Sequence, residues 1–348
     1  MDIKLQRSYG WVENTLAEYM EMAKQVLHDY FPDKEPRRYL YDLIPSYPNR
    51  TGKGLRPGLC IATCKAFGGS TRSVLRSAAA IELFHNAFLV HDDIEDGSEF
   101  RRGQPTMHQE QGIGIAINVG DAMNVLSIRT LMDNLDGLGP TLTWLVFAEI
   151  EHMVRESVEG QAMELGWVKD NNCELTEADY LRMILKKTCW YTCIHPCRIG
   201  ALIGSGGSVD LDAFNKFAYY MGAAFQIQDD ALNLEGEHER YGKEIGGDIF
   251  EGKRTLMLIH LLNRCSPTEH ERVKDFLATP REQRSLKEVR SVYDLMIKYD
   301  SIKSARSTAH HLAGAALREF HKAYGTLPDS KDKRLIENII LYMIERDI

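Results

Sequence analysis

An all-α single domain spanning residues 1–348, its helices packed around a central cavity, is the fold this sequence predicts. Three observations carry it. Long segments repeat their apolar residues at helical spacing and are broken only by short Gly, Pro or Asp punctuation. Few segments alternate strictly enough to read as strands. Two apolar runs, AAAIELFHNAFLV ending at Val90 and FNKFAYYMGAAF ending at Phe225, lead straight into clusters of acids. With 348 residues, 44% of them hydrophobic, the chain can bury one large core.

The punctuation divides the chain in order at Pro32-Asp33, Gly68-Gly69, Gly137–Pro140, Asp170–Asn172 and Gly204–Gly207. Pro196 lies inside a helical run and lacks an amide hydrogen, so a kink is expected near Thr192. Residues 235–252 include five glycines and Lys243, which reads as a mobile loop able to close over a ligand. The net charge of −8 argues against a nucleic-acid surface. There is no run of 18 apolar residues to span a membrane, and MDIKLQRSYGWVENT lacks the apolar core of a signal peptide. Seven cysteines without a C-x-x-C pair read as reduced thiols, and a cytoplasmic location is expected. Cys189, Cys193 and Cys197 share a helix face at a spacing unusual for zinc, so they read as small core residues.

The chemistry concentrates in HDDIEDGSEFRRGQPTMH, His91 to His108. Asp92, Asp93 and Asp96 form a D-D-x-x-D array, and Arg101 and Arg102 follow closely. On a helix Asp92 and Asp96 share a face, so both could reach one Mg²⁺ cluster. Fused acids at the end of a buried helix repel one another unless a cation compensates, and the arginines suit phosphate. A solvated, charged helix end is the plainer alternative. It weakens because Gln226-Ile-Gln-Asp229-Asp230-Ala-Leu-Asn233 repeats the pattern on a second apolar helix. Acids at two such helix ends would put metal at the mouth of an apolar pocket, which suits a diphosphate head with a hydrocarbon tail.

Motifs in order over roughly residues 50 to 256 extend this pattern. They are GKGLRP at Gly52–Pro57, ELFH at Glu82–His85, the aspartate array with its RRG and NVGD at Asn118–Asp121. They continue with GQ at Gly160–Gln161, KT at Lys187–Thr188, FQIQDD at Phe225–Asp230 and GKEIGGDIFEGKRT at Gly242–Thr255. The chain resembles the trans-isoprenyl diphosphate synthases (polyprenyl synthetases), the group that includes farnesyl and geranylgeranyl diphosphate synthases. That resemblance implies an all-α fold and a Mg²⁺-dependent head-to-tail condensation of isopentenyl diphosphate with an allylic diphosphate. By resemblance, Asp92 and Asp96 would bind two Mg²⁺ and Asp229 a third. Arg101, Lys187 and Lys253 would hold the allylic diphosphate, Lys243 would close from the loop, and Thr188 and Gln226 would donate or accept hydrogen bonds. Asp93 and Asp230 complete the catalytic acids. Isopentenyl diphosphate would bind without metal at Lys53, Arg56 and Arg102, with His85 as a further donor. The family also implies a homodimer, supported by an excess of apolar helical faces such as Ala78–Val90 and Ile115–Leu131.

Two other readings stay open: a class I terpene cyclase, which needs no second cation set, and an inactive regulatory subunit. Asn233 stands where many members carry a third aspartate, and the CWYTCIHPC segment after Thr188 has no assigned part. Chain length is expected to be set by the helix before Asp92, at about 5.4 Å per turn. Ala87, Phe84 and Ile81 are expected on one stripe, with Phe88 narrowing the pocket. Ala87 removes the aromatic stop common in farnesyl synthases. The expected product is therefore geranylgeranyl diphosphate, with the farnesyl and twenty-five-carbon products as alternatives.

Overall fold

The computed structural model describes residues 3–50, 52–235 and 246–345. Helices dominate: α1 Ile3–Tyr30, α2 Ser46–Asn49, α3 Leu55–Ala66, α4 Thr71–Glu95, α5 Met107–Gln111, α6 Ile113–Met132 and α7 Leu135–Lys169. They continue with α8 Glu177–Ile184, α9 His195–Gly204, α10 Asn215–Glu235, α11 Gly247–Glu251 and α12 Leu256–Arg264. The last four are α13 Pro267–Ala278, α14 Leu286–Lys298, α15 Ser301–Tyr324 and α16 Lys331–Glu345. The predicted breaks fall where helices end, at Tyr30, Ala66, Lys169 and Gly204. At Gly139 (φ 72°, ψ 171°) α7 is interrupted just before Pro140, whose ring cannot continue the preceding turn.

One core joins α3, α9, α10, α12, α15 and the inner faces of α4 and α7. A smaller cluster fills the layer between α4 and α6, with Leu83, Ala87 and Val90 against Val119 and Met123. Five of the seven thiols, Cys60, Cys64, Cys189, Cys193 and Cys197, are fully buried. Burial holds them protonated, raising Cys64 and Cys197 to about 11. Cys189, Cys193 and Cys197 all pack in the main core.

Two local features add to the sequence reading. The kink expected near Thr192 falls on a change of helix type: Leu185–Ile194 winds as a π-helix, and Pro196 sits in the first turn of α9. The second is a two-stranded hairpin, Phe100–Arg101 against Gln104–Pro105, too short to show alternation. Its two-residue loop, Arg102 (φ 55°) and Gly103 (φ 73°), has both residues at positive φ, as a turn matching the strand twist requires.

Candidate active site

The D-D-x-x-D array occupies the last turn of α4. Asp92 and Asp93 are helical, and Asp96 caps the end through its amide to the Asp92 carbonyl (2.9 Å). A helix C-terminus carries partial negative charge, so three carboxylates there need cations. Three supply them. Arg101 Nη2 lies 3.3 Å from Asp92 Oδ2, Lys187 Nζ 3.3 Å from Asp92 Oδ1, and Lys253 Nζ 2.6 Å from Asp96 Oδ2. Burial still dominates at Asp96, with Asp92 and Glu251 adding repulsion, and its carboxyl is raised to about 7 despite Lys253.

Asp93 plays a different part from its neighbours. Its side chain is fully buried, accepts from Tyr47 Oη (2.6 Å) and Arg101 Nε (2.8 Å), and makes a further ion pair with Arg101 Nη2. Asp230 is its counterpart on α10, accepting from Tyr180 Oη (2.7 Å) and Gln226 Nε2 (2.7 Å). Burial and the adjacent Asp229 outweigh these donors and push Asp230 up to about 7. Each acid pair thus has one member turned into the protein as an anchor. Asp92 and Asp229 are the half-exposed members.

The π-helix connects the two acid clusters. Lys187 pairs with Asp92 and, from α7, with Glu164. Burial disfavours its charge, but Glu164 and Asp92 outweigh this and raise Lys187 above its ordinary value. Thr188 Oγ1 donates to Gln226 Oε1 (3.0 Å), and Gln226 passes the contact to Asp230. The approach of α7 depends on Gly160, where a Cβ would lie 2.2 Å from the Lys187 amide nitrogen. That closeness lets Gln161 reach Glu95 (2.5 Å) and Asp92 (3.4 Å).

A second cation set lies about two turns earlier along α4, beside Glu82 and His85. Arg56 and Arg102 both stand near buried Glu82, and with Arg101 both act on His85. Burial first, then these guanidiniums, hold His85 well below the usual imidazole range. The hairpin explains why adjacent arginines serve different sets: Arg101 is in a strand facing Asp93, and Arg102 is in the turn. Arg102 Nη1 donates to the Arg50 carbonyl (3.3 Å). Lys53 is exposed just before α3, and Lys243 falls outside the described residues.

Asn233 is not placed as a ligand. It is buried, its side-chain oxygen accepts from the Asp248 amide (3.1 Å) and its carbonyl from the Gly246 amide (2.8 Å). It therefore fixes the start of α11, which carries Glu251. Glu251 pairs with Lys253 (2.8 Å) and Arg281 (3.2 Å), and Arg281 also donates to the Asp96 carbonyl (2.9 Å). Glu164, Glu251, Arg281 and Tyr191 were not singled out from sequence. Glu164 and Tyr191 had a signal, since each lies three or four residues from a motif residue and shares its face. Arg281 had none.

The sequence model of the polyprenyl synthetase family matches residues 37–296. A short chain isoprenyl diphosphate synthase of Methanothermobacter thermautotrophicus is 31% identical over 339 residues, covering 97% of this chain and 99% of that protein. A geranylgeranyl diphosphate synthase of Sulfolobus acidocaldarius is 31% identical over 292 residues, covering 83% and 86%. The crystal structure of geranylgeranyl pyrophosphate synthetase from Pyrococcus horikoshii superposes with a TM-score of 0.86 at 29% identity, covering 98% of this chain and all of that one. With the all-α fold, the paired acid clusters and these matches together, the chain belongs to the polyprenyl synthetase family and is a prenyltransferase.

Proposed function

We propose that this protein is a Mg²⁺-dependent (E)-prenyl diphosphate synthase that adds isopentenyl diphosphate to an allylic diphosphate, with geranylgeranyl diphosphate as its product. One observation carries the proposal: cations fall into two sets, one ion-paired with the aspartates and one apart from them. Lys187, Lys253 and Arg101 contact Asp92 or Asp96. Arg56 and Arg102 form the other set, with the neutral His85 beside them. A cyclase, with one diphosphate to hold, has no use for the second.

The residues fit magnesium. The donors are all oxygen, as a hard cation needs, and they come as one or two carboxylates per place rather than as a closed protein cage. That is how Mg²⁺ is usually held when substrate phosphates complete its shell. Asp92 and Asp96 would bind on one side and Asp229 on the other, with three ions per site. When bound, Mg²⁺ supplies positive charge to the departing diphosphate. Arg101, Lys187 and Lys253 add to that charge from fixed positions, which strengthens as charge develops. Arg56, Arg102, Lys53 and His85 hold isopentenyl diphosphate so that its double bond faces the allylic carbon. Asp93 and Asp230 act as anchors for Arg101 and Gln226, and the released diphosphate takes the final proton.

Purified protein given labelled isopentenyl diphosphate and an allylic diphosphate should form a longer prenyl diphosphate only with Mg²⁺ present. Turnover of the allylic substrate alone to a cyclic hydrocarbon would overturn the reading.

The stripe expected for chain length is divided. Steps of three residues rotate by about 300° on a helix, so Ile81 and Ala87 drift roughly 120° apart. Phe84 belongs to the main core, and Phe88 packs edge-on to Tyr191 there, whereas Ala87 lies in the α4–α6 layer. Phe88 and Phe84 are thus the stops we assign to the tail, and Phe88→Ala and Phe84→Ala should each lengthen the product. A shortened product from Ala87→Phe, with no change from those two, would put the tail between α4 and α6 instead.

A homodimer is the state we propose. Ala78–Val90 is spent inside the subunit, but Ile113, Ile117, Val125, Ile128 and Met132 on α6 and Trp144 on α7 are exposed. Light scattering at micromolar concentration should give twice 39.6 kDa, and Val125→Asp should halve it. A wild-type monomer mass would sink this assignment.

A further inference from the structure

The segment after Lys187-Thr188 that the motifs left without a part places Tyr191 between the two halves of the site. Its ring is buried, and the guanidinium of Arg56 lies over it with its carbon 4.2 Å from the ring centroid. The neighbouring Thr192 Oγ1 accepts from Arg56 Nη2 (2.8 Å). On its other edge the ring meets Phe88, centroids 5.6 Å apart at 83°. Its hydroxyl is hydrogen-bonded with His85 Nδ1. Tyr191 and Lys187 are four residues apart, so one face of the π-helix serves both cation sets.

The chemistry of that hydrogen bond has a direction. Burial and three guanidiniums keep His85 neutral, so its ring has one N–H to offer. Burial also keeps Tyr191 protonated, pushed up to about 12, and a phenol is a better donor than acceptor toward an imine nitrogen. A hydroxyl donating to Nδ1 leaves the imidazole proton on Nε2. In the other tautomer His85 would turn a lone pair, not a donor, toward an anion at its far edge.

We propose that Tyr191 is a positioning residue for the isopentenyl diphosphate subsite, holding His85 as the Nε2–H donor through its hydroxyl and Arg56 through its ring. The proposal rests on the reading of Arg56, Arg102 and His85 as the metal-free set. Tyr191→Phe removes the hydroxyl and keeps the ring under Arg56 and against Phe88. It should raise the KM for isopentenyl diphosphate by about three- to tenfold, the size of one hydrogen bond, and leave the allylic KM and kcat unchanged. Tyr191→Leu should raise it further. In a His85→Ala background, Tyr191→Phe should cost nothing more, because the hydroxyl acts through His85.

The full-length protein with ¹⁵N-labelled histidine provides a readout that does not depend on turnover. His85 should show its proton on Nε2 in the wild type and a mixture of tautomers in Tyr191→Phe. An unchanged tautomer in that variant, or equal effects on both substrates' KM, would overturn the proposal. If Arg56→Ala and Arg102→Ala leave the isopentenyl KM unmoved, the reading of the subsite fails and this inference falls with it. If they raise it and Tyr191→Phe does not, only the inference fails.

Discussion

Asp92→Asn lowers kcat/KM by about three orders of magnitude, roughly 4 kcal/mol of transition-state stabilisation, in the labelled isopentenyl diphosphate assay. Asparagine keeps the size of the side chain and can still accept from Gln161, so the fold should hold. What disappears is one negative charge on the half-exposed acid that faces Arg101 and Lys187. The Mg²⁺ concentration for half-maximal activity should rise with it, since an amide oxygen is a weaker ligand than a carboxylate. Asp93→Asn provides the contrast. Asp93 faces Tyr47 and Arg101 from inside the protein, so its loss should lower the unfolding midpoint and leave the Mg²⁺ requirement near that of the wild type. The same shift in Mg²⁺ requirement for both variants would refute the division of each acid pair into one ligand and one anchor.

Arg101→Ala is expected to destabilise the protein by about 3–5 kcal/mol, because it strands a buried carboxylate. Arg101 is 8% exposed, and Asp93, fully buried, keeps the Tyr47 hydroxyl as its side-chain donor among the described residues once the guanidinium is gone. Burial alone would lower the pKa of Arg101, but Asp93 and then Asp92 more than reverse this, which marks the pair as tightly coupled. Urea unfolding followed by circular dichroism should show the loss. Asp93→Asn in the Arg101→Ala background should recover part of it, since the stranded charge is removed. Arg102→Ala should behave differently, with near-normal stability and a raised KM for isopentenyl diphosphate. Wild-type stability for Arg101→Ala, or indistinguishable effects of the two arginine variants on both substrates, would reject the assignment.

Helix positions and chemistry were legible in the sequence because both are local. Apolar spacing at a period near 3.6, with Gly and Pro at the breaks, depends only on residues within a turn or two of each other. The same locality made Asp92 and Asp96 readable as one helix face, and suggested Arg101 and Arg102 as the proposed phosphate cations. The order of the motifs then identified the family and, through it, suggested roles for Lys53, Arg56, His85, Lys187, Thr188, Gln226, Asp229 and Lys253. Nothing local distinguished Asp92 from Asp93 or Asp229 from Asp230. That difference depends on which way the end of a helix faces, and the facing is decided by Tyr47, Tyr180 and Gln226.

The tertiary structure alone decided the remaining parts. Asn233 became the support of α11 because the backbone of Gly246 and Asp248 returns to it. Arg281 joined the end of α4 to Glu251 from 185 residues away. Ala87 left the stripe of Phe84 because α6 packs on that side of α4. The π-helix placed Tyr191 against His85 from 106 residues away. The physical reason is the same in each case. Periodicity and residue chemistry state what a segment can bury and which charges it carries, but a buried polar group takes whichever partner packing brings within about 3 Å.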